Sequence, residues 1–352
     1  MTTRATFIAL LSLSLTTPVL AQTTPPCQIQ GHVKGLGNKT IVFSYVQQGQ
    51  QHQDSVRAAD DRFTYTTRPS DDGTVILHLV RSPFVRFWNE PGQLTATGSM
   101  TEPSHIAIVG TPNNDLLTQY HQTIDWAFDK REHAHPDSAA LLKPLFKRAT
   151  LDFVKAHPRS RTSAYALYWQ SMYDDKPVDE YEQLYRQFSS AVKAGPQGQA
   201  MAKRLAVLRN QPLVGRKAPT FTIPDTANVA VSLDRFKGQY VLLDFWGHWC
   251  GPCIKSMPHL KQLQARYAQQ VAVVGIGMED ADDKKAWLDA IHKHQATWTQ
   301  LCELQGNKGV IQQYNITAFP TYLLLDKQGV VLERANELGA IDEKLKKLVP
   351  GK

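Results

Sequence analysis

Two cysteines at Cys-x-x-Cys spacing, Cys250 and Cys253, are the residues of this chain best suited to chemistry. A pair at this spacing can exchange disulfides, because one thiolate attacks a disulfide and the second cysteine then attacks the mixed disulfide that results. The pair follows the apolar run Tyr240-Val-Leu-Leu-Asp-Phe245, which predicts a strand buried on both faces of a sheet. We therefore predict thiol-disulfide exchange at a strand-to-helix junction.

The helix predicted after this strand gives the two cysteines different roles. Its N-terminus directs unpaired backbone N–H groups and the positive end of the helix dipole at Cys250, which favours the thiolate over the thiol. Cys253 lies one helical turn further along, within reach of a mixed disulfide on Cys250. We predict that Cys250 is the nucleophile and that Cys253 is the resolving cysteine.

Two other uses of a cysteine pair fit this sequence less well. A structural zinc site needs a second pair of ligands at similar spacing, and the other two cysteines, Cys27 and Cys302, stand alone. A structural disulfide closing so small a loop would restrict the unfolded chain very little. Redox chemistry is the better interpretation, and we expect neither a bound metal nor a cofactor beyond the redox-active pair.

The surrounding motifs resemble the thioredoxin superfamily and, within it, the TlpA/ResA-like thiol-disulfide oxidoreductases of bacterial envelopes. The resemblance covers about residues 212 to 348. It rests on four motifs: Gly215-x-x-Ala218-Pro219-x-Phe221, Phe236-Lys-Gly238, Trp249-Cys-Gly-Pro-Cys253 and Thr317-Ala-Phe-Pro-Thr321.

The resemblance implies functions for several residues besides the cysteines. Pro320 matches the cis-proline that lies beside the reactive disulfide in the family, and Phe319 matches the residue whose backbone pairs with substrate. Asp244 matches the buried acid of thioredoxins, for which we expect proton transfer to or from Cys253. We assign substrate binding to these two residues near the proline together with Trp249, Gly251 and Pro252.

One position departs from the family pattern. Many TlpA-like reductases carry Glu three residues after the second cysteine, where this chain has Ser256 beside Lys255. A carboxylate near the thiols would disfavour the thiolate, so its absence should leave Cys250 more acidic than in relatives with Glu. We therefore expect broader substrate specificity than in the members that mature cytochrome c.

The first 21 residues have the order of a secretory signal peptide: Arg4, an apolar stretch from Phe7 to Leu15, then Val19-Leu-Ala21. We predict cleavage after Ala21 and a periplasmic or envelope location, with an uncleaved leader acting as membrane anchor as the alternative. Removal of Arg4 lowers the formal charge from +7 to +6. The basic residues are spread along the chain, so a nucleic-acid partner is not expected.

Length and pattern predict three further parts in the 352 residues. Short alternating runs over residues 22–112 predict a β-sandwich, and these residues resemble a domain of unknown function that often precedes TlpA-like domains. Helical periodicity over residues 113–211 predicts a helical linker domain. Residues 212–352 form the predicted α/β thioredoxin-like domain. The predicted fold class is thus multidomain: all-β, then helical, then α/β.

Histidines offer two weaker candidates. Glu132-His-Ala-His-Pro-Asp137 gathers imidazoles and carboxylates, but His133 and His135 are not one helical turn apart, and a solvated loop is the better interpretation. His248 stands two residues before Cys250 and, if charged, would favour the thiolate; an exposed bystander is the alternative.

These observations predict an exported thiol-disulfide oxidoreductase that reduces disulfides of envelope proteins, re-reduced by the membrane electron donor that the resemblance implies. Its Gly-Pro dipeptide is that of thioredoxin, with a potential of about −270 mV, whereas the strongest oxidants of this fold lie near roughly −120 mV. An oxidant or isomerase with the same site stays open. So does an envelope adaptor that uses the fold only for docking. Cys302, flanked by Leu301 and close to Trp298 and Leu304, is expected to be a buried spectator.

Overall fold

A computed structural model describes residues 27–80, 84–134, 139–174 and 178–349. The chain divides into two compact units, Met1–Ala139 and Ala140–Lys352. The predicted signal peptide, residues 1–21, lies outside the described residues. The helical region is divided between the two units, so the boundaries at 112 and 211 stay predictions.

Eight described strands of the N-terminal unit form two four-stranded sheets, in the orders β4-β1-β7-β8 and β3-β2-β5-β6. The strands are Cys27–Lys34 (β1), Thr40–Gln47 (β2), Gln50–Arg57 (β3), Arg62–Thr66 (β4), Thr74–His78 (β5), Val85–Trp88 (β6), Gly92–Ser99 (β7) and Ala107–Val109 (β8). Only β1 and β7 pair in parallel among these described strands.

The two sheets form a sandwich because their alternating apolar side chains share one core. Ile29 of β1 and Leu94 of β7 come from the first sheet, and Phe43 of β2 and Leu77 of β5 come from the second. All four are almost fully buried in a single cluster. This arrangement confirms the predicted all-β N-terminal fold.

Helices follow the sandwich, as the periodicity predicts. They are Pro112–Tyr120 (α1), Trp126–Ala134 (α2), Ala139–Ala156 (α3), Arg161–Tyr173 (α4), Val178–Gln187 (α5), Ser190–Ala194 (α6) and Pro196–Asn210 (α7). A π-helical turn, His121–Asp125, joins α1 to α2. The helical periodicity predicted from residue 113 onward therefore begins on two helices and the turn between them.

The C-terminal α/β region is built on a five-stranded sheet in the order β13-β12-β11-β14-β15, with a separate β9–β10 hairpin. Its strands are Thr222–Pro224 (β9), Ala230–Ser232 (β10), Tyr240–Trp246 (β11), Val271–Gly277 (β12), Thr299–Cys302 (β13), Thr321–Leu325 (β14) and Val331–Ala335 (β15). Its helices are Gly251–Tyr267 (α8), Lys284–His294 (α9), Gly309–Gln313 (α10) and Leu338–Leu348 (α11). The predicted α/β fold of this region is confirmed.

The central strand β11 separates two apolar cores. Leu242 and Trp246 belong to the core that contains both site cysteines, whereas Leu243 and Phe245 belong to the core on the other face. Asp244 has the same parity as the first pair, so it lies on the face of the cysteines. Because β11 and β12 are parallel, the residues after each strand meet at one edge of the sheet.

In the described ranges, none of the helices combines the length and the apolar character that crossing a membrane requires.

Candidate active site

Cys250 and Cys253 are joined by a disulfide, and their Cα atoms lie 5.3 Å apart. Cys250 is the N-cap residue of α8, and the backbone N–H of Cys253 donates a hydrogen bond to its Sγ at 3.2 Å. Gly251 and Pro252 form the exposed start of that helix, while both cysteines are buried. The helix therefore directs donors at the sulfur of Cys250, an arrangement that stabilises a thiolate there.

An exposed aromatic surface lies beside the disulfide. Trp249 is 52% exposed, and its ring stands edge-on against Phe319 with 5.4 Å between the ring centroids. Phe319 also packs against the core that contains the two cysteines, and the Phe319–Pro320 peptide bond is cis. The structure thus brings Trp249, Phe319 and Pro320 together near the cysteine pair, while their predicted part in substrate binding stays a prediction.

Asp244 is a buried acid on the cysteine side of β11. It is 2% exposed, and its Oδ1 atom has no hydrogen-bond partner among the described residues. Burial raises the pKa of this carboxyl from 3.8 to about 7, because an ionised carboxylate is poorly solvated there. The group can therefore gain or lose a proton near neutral pH, as its predicted role requires.

A hydroxyl chain runs beside this acid to the resolving cysteine. Tyr322 lies opposite Asp244 on β14, and its OH donates to Ser256 Oγ at 2.7 Å. Ser256 Oγ in turn donates to the carbonyl oxygen of Cys253 at 2.8 Å. Burial is the main cause that raises the pKa of Tyr322 above its ordinary value, and the nearby Asp244 charge is the second. This phenol therefore stays protonated. Position 256 therefore lies next to the resolving cysteine.

Sequence reasoning missed Glu279, which lies two residues beyond β12. Its carboxylate accepts two hydrogen bonds from His248, one from the backbone N–H at 2.7 Å and one at 2.6 Å from Nδ1. His248 is therefore neither isolated nor fully exposed, since its side chain is 25% exposed. An acid just beyond the end of a parallel neighbour of β11 was the sequence signal that could have identified this residue.

The other cysteines lie away from the exposed surface. Cys302 is 3% exposed and its Sγ donates to the carbonyl of Gly277, while burial raises its pKa to about 11. Cys27 is fully buried beside Thr67 and Asn89, and burial raises its pKa as well. Both thiols should therefore react slowly.

A metal site would need several ligating side chains in one place. In the described part of the chain, no group of three or more His, Cys, Asp or Glu residues is placed to hold a metal ion. His133 bonds the backbone of Asp129 and also lies near its carboxylate, whereas His135 lies outside the described residues.

Comparison with known proteins agrees with this geometry. Residues 214–334 match the AhpC/TSA family, and residues 27–117 match a domain of unknown function, DUF4369. The chain is 34% identical over 118 residues to the thioredoxin-like protein YneN of Bacillus subtilis, covering 33% of this chain and 68% of that protein. It is 30% identical over 143 residues to the thiol-disulfide oxidoreductase ResA of Bacillus thuringiensis, covering 39% of this chain and 79% of the relative.

A solved structure is also similar in sequence. A thiol-disulfide oxidoreductase from Bacteroides fragilis is 34% identical, and the match covers 38% of this chain and all (100%) of that one, with a TM-score of 0.36.

Proposed function

This chain belongs to the ResA-like thiol-disulfide oxidoreductases of the thioredoxin-like group, and from this we propose that it reduces disulfides of envelope proteins through Cys250 and Cys253. The observation that carries the proposal is the Cys250–Cys253 disulfide at the N-terminus of α8, with Cys250 as the cap. The reduced form of that pair is a two-electron donor.

In the proposed reaction the Cys250 thiolate attacks one sulfur of a substrate disulfide. A bond forms between Cys250 Sγ and that sulfur, and the other substrate sulfur leaves as a thiolate that takes up a proton. Cys253 then loses its proton, attacks Cys250 Sγ and releases the first substrate sulfur, which is also protonated. The substrate gains two electrons and two protons, and the Cys250–Cys253 disulfide is formed.

We propose that Asp244 accepts the proton that Cys253 loses. The support is its burial on the cysteine side of β11 and a pKa that burial raises to about 7. The ionised carboxylate accepts the proton of Cys253 during resolution and returns it when the released substrate thiolate is protonated. No cofactor is needed beyond the cysteine pair.

We assign substrate binding to the exposed start of α8 and the aromatic surface beside it, formed by Trp249, Gly251, Pro252, Phe319 and Pro320. An extended segment of the partner would pair with the backbone at Phe319, which places its disulfide over Cys250. Because these contacts are made mainly to backbone, they depend on few side chains of the substrate. Several envelope proteins are therefore acceptable substrates. The candidate substrates are cytochrome c apoprotein, a metal-site assembly protein or general envelope disulfides.

The proposed compartment is the cell envelope, reached by cleavage after Ala21. Its support is the order of charged, apolar and small residues in the leader. Intact-mass analysis of protein from an envelope fraction should give a chain beginning at Gln22. An oxidising compartment consumes the dithiol, so the proposal includes a membrane electron donor that restores it.

The direction of electron flow is tested by the reduction potential of the full chain, equilibrated with glutathione and dithiothreitol buffers. A potential near that of thioredoxin, about −270 mV, supports a reductase, and one near roughly −120 mV supports an oxidant. Insulin reduction by the reduced chain, with Cys250→Ala as control, tests activity itself. If the unchanged chain reduces insulin no faster than the control, the adaptor interpretation replaces the reductase proposal.

A further inference from the structure

His248 and Glu279 are joined by two hydrogen bonds, and neither residue has a role in the reaction proposed above. The Glu279 side chain is completely buried (0% exposed), and burial raises its pKa, which the hydrogen bonds from His248 partly oppose. Burying a carboxylate is unfavourable unless its oxygens are hydrogen-bonded. Here both oxygens are bonded by the same residue, one by its backbone and one by its ring.

Further bonds hold the segment before Cys250 against the residues after β12. The indole Nε1 of Trp249 donates to the carbonyl of Met278 at 3.2 Å, and the backbone N–H of Met278 donates to the carbonyl of Trp246 at 2.8 Å. With Glu279, these contacts fix the position of the imidazole relative to the start of α8. The ring of His248, two residues before the nucleophile in the chain, is thus tied to Glu279 rather than free to rotate into solvent.

We propose that His248 and Glu279 form an acid–base pair in which Glu279 positions the imidazole and His248 gives a proton to the substrate thiolate that leaves when Cys250 attacks. This inference rests on the proposed reductase function and adds two residues to it. Glu279 acts through His248 and is a positioning residue, whereas His248 would touch the substrate sulfur.

The hydrogen bond from Nδ1 to Glu279 Oε2 determines which ring nitrogen is available. An ionised carboxylate can only accept hydrogen bonds, so when Glu279 is ionised Nδ1 carries the proton between the two groups, and Nε2 is the nitrogen left to face the substrate. A base held by a third group in this way is the arrangement that enzymes use to orient a proton carrier. His248 is two residues before Cys250 and partly exposed, so a partner docked over Cys250 can reach the ring.

The proposed step balances as follows. The Cys250 thiolate forms a bond to one substrate sulfur and breaks the substrate S–S bond. The departing thiolate takes the Nε2 proton of the imidazolium and leaves as a thiol, and His248 becomes neutral. Solvent restores the proton after the product leaves, so the pair consumes no additional oxidant or reductant.

The titratable groups around the pair come from two neighbouring elements. Asp283, before α9, faces Glu279 and disfavours its ionisation, and Cys302 on β13 lies near the same carboxylate. Burial raises the pKa of Cys302 to about 11, so it remains a neutral thiol over the range in which an imidazole titrates. Among these described neighbours, only Asp283 brings a further charge.

Proton donation to a leaving thiolate predicts a dependence on the substrate. We would compare His248→Gln and Glu279→Gln with the unchanged full chain, using two disulfides under identical conditions. Oxidised glutathione releases a basic alkyl thiolate that needs a proton, whereas 5,5′-dithiobis(2-nitrobenzoate) releases an acidic aromatic thiolate that does not. His292→Gln, an exposed histidine of α9, is the matched control.

Both site variants should reduce oxidised glutathione about a hundredfold more slowly, the lower end of what general acid–base catalysis contributes. They should react with the aromatic disulfide at the unchanged rate, because its thiolate leaves without needing a proton. His292→Gln should match the unchanged chain. If His248→Gln slows both disulfides equally, or neither, the inference is wrong.

The two variants separate proton donation from folding. If Glu279→Gln unfolds, His248→Gln alone decides, since its imidazole is partly exposed. Cys250→Ala should lose both reactions. If it does, and His248→Gln reduces oxidised glutathione at the unchanged rate, the proposed function stands and only this inference is wrong. An unchanged chain that reduces neither disulfide would instead contradict the proposed function.

Discussion

Replacing Asp244 with asparagine removes the buried carboxyl that β11 places on the face of the cysteines. The carboxyl is 2% exposed, and burial raises its pKa from 3.8 to about 7. Below about pH 4 the group is protonated in both the folded and the unfolded chain. Above about pH 7 it is ionised in both, and the folded chain then contains a buried carboxylate.

The size and sign of the effect follow from proton linkage. Between about pH 4 and pH 7 the folded chain binds more protons than the unfolded chain, so its free energy of unfolding falls as the pH rises. The two pKa values differ by about three, which corresponds to roughly 4 kcal/mol. Asp244→Asn cannot ionise, so it should be about 4 kcal/mol more stable than the unchanged chain at pH 8 and nearly equal at pH 4.

Hydrogen exchange of peptides from β11, measured by mass spectrometry on the oxidised chain and corrected for intrinsic rates, reports this local stability. Protection in Asp244→Asn should exceed that of the unchanged chain by about a thousandfold at pH 8 and by little at pH 4. Asp234→Asn is the control, because it changes an exposed carboxylate paired with Lys237. Equal protection of Asp244→Asn and the unchanged chain at both pH values would refute the argument from burial.

Three further predictions concern the residues around the cysteine pair. Brief, limiting iodoacetamide on the reduced chain should label Cys250 before Cys253 and leave Cys302 unlabelled, because the start of α8 stabilises a thiolate while burial raises the pKa of Cys302 to about 11; first labelling of Cys253 would reverse the two roles. Ser256→Glu should raise the midpoint of pH-dependent alkylation of Cys250, since a carboxylate disfavours a nearby thiolate; an unchanged or lower midpoint would remove the basis for broad specificity. Tyr322→Phe should lower the free energy of unfolding by about 1 kcal/mol, the net value of its bond to Ser256, in urea denaturation; an unchanged value would mean that this bond contributes nothing.

The pattern of apolar residues along the chain predicted the strands and helices that bury at least one apolar face. It missed elements that lack such a face. The apolar run that became β11 is central and buried, so continuous hydrophobicity predicts it. Strand β3, Gln50–Arg57, has only one strongly apolar side chain, Val56, because it pairs only with β2 at the edge of its sheet. An edge strand of this kind is specified by its partner and not by its own periodicity.

The same distinction applies to the candidate active site. Cys250 and Cys253 lie at the start of one helix, so their spacing predicts that they share a site, whereas Asp244 on β11 is assigned from its match to the buried acid of thioredoxins. Glu279 and Tyr322 reach this site because β12 and β14 flank β11 in the sheet. That order is set by packing of the whole domain, which residue spacing in one segment does not encode.

The most direct test of disulfide exchange at Cys250 is the mass of the intermediate formed by a full chain carrying Cys253→Ala. Mixed with a peptide disulfide after reduction, this variant should accumulate one mixed disulfide, with the peptide sulfur joined to Cys250, because the resolving thiol is absent. The double variant Cys250→Ala, Cys253→Ala is the control and should accumulate none. An adduct on Cys27 or Cys302, or equal adduct in the control, would contradict the assignment of Cys250 as the nucleophile.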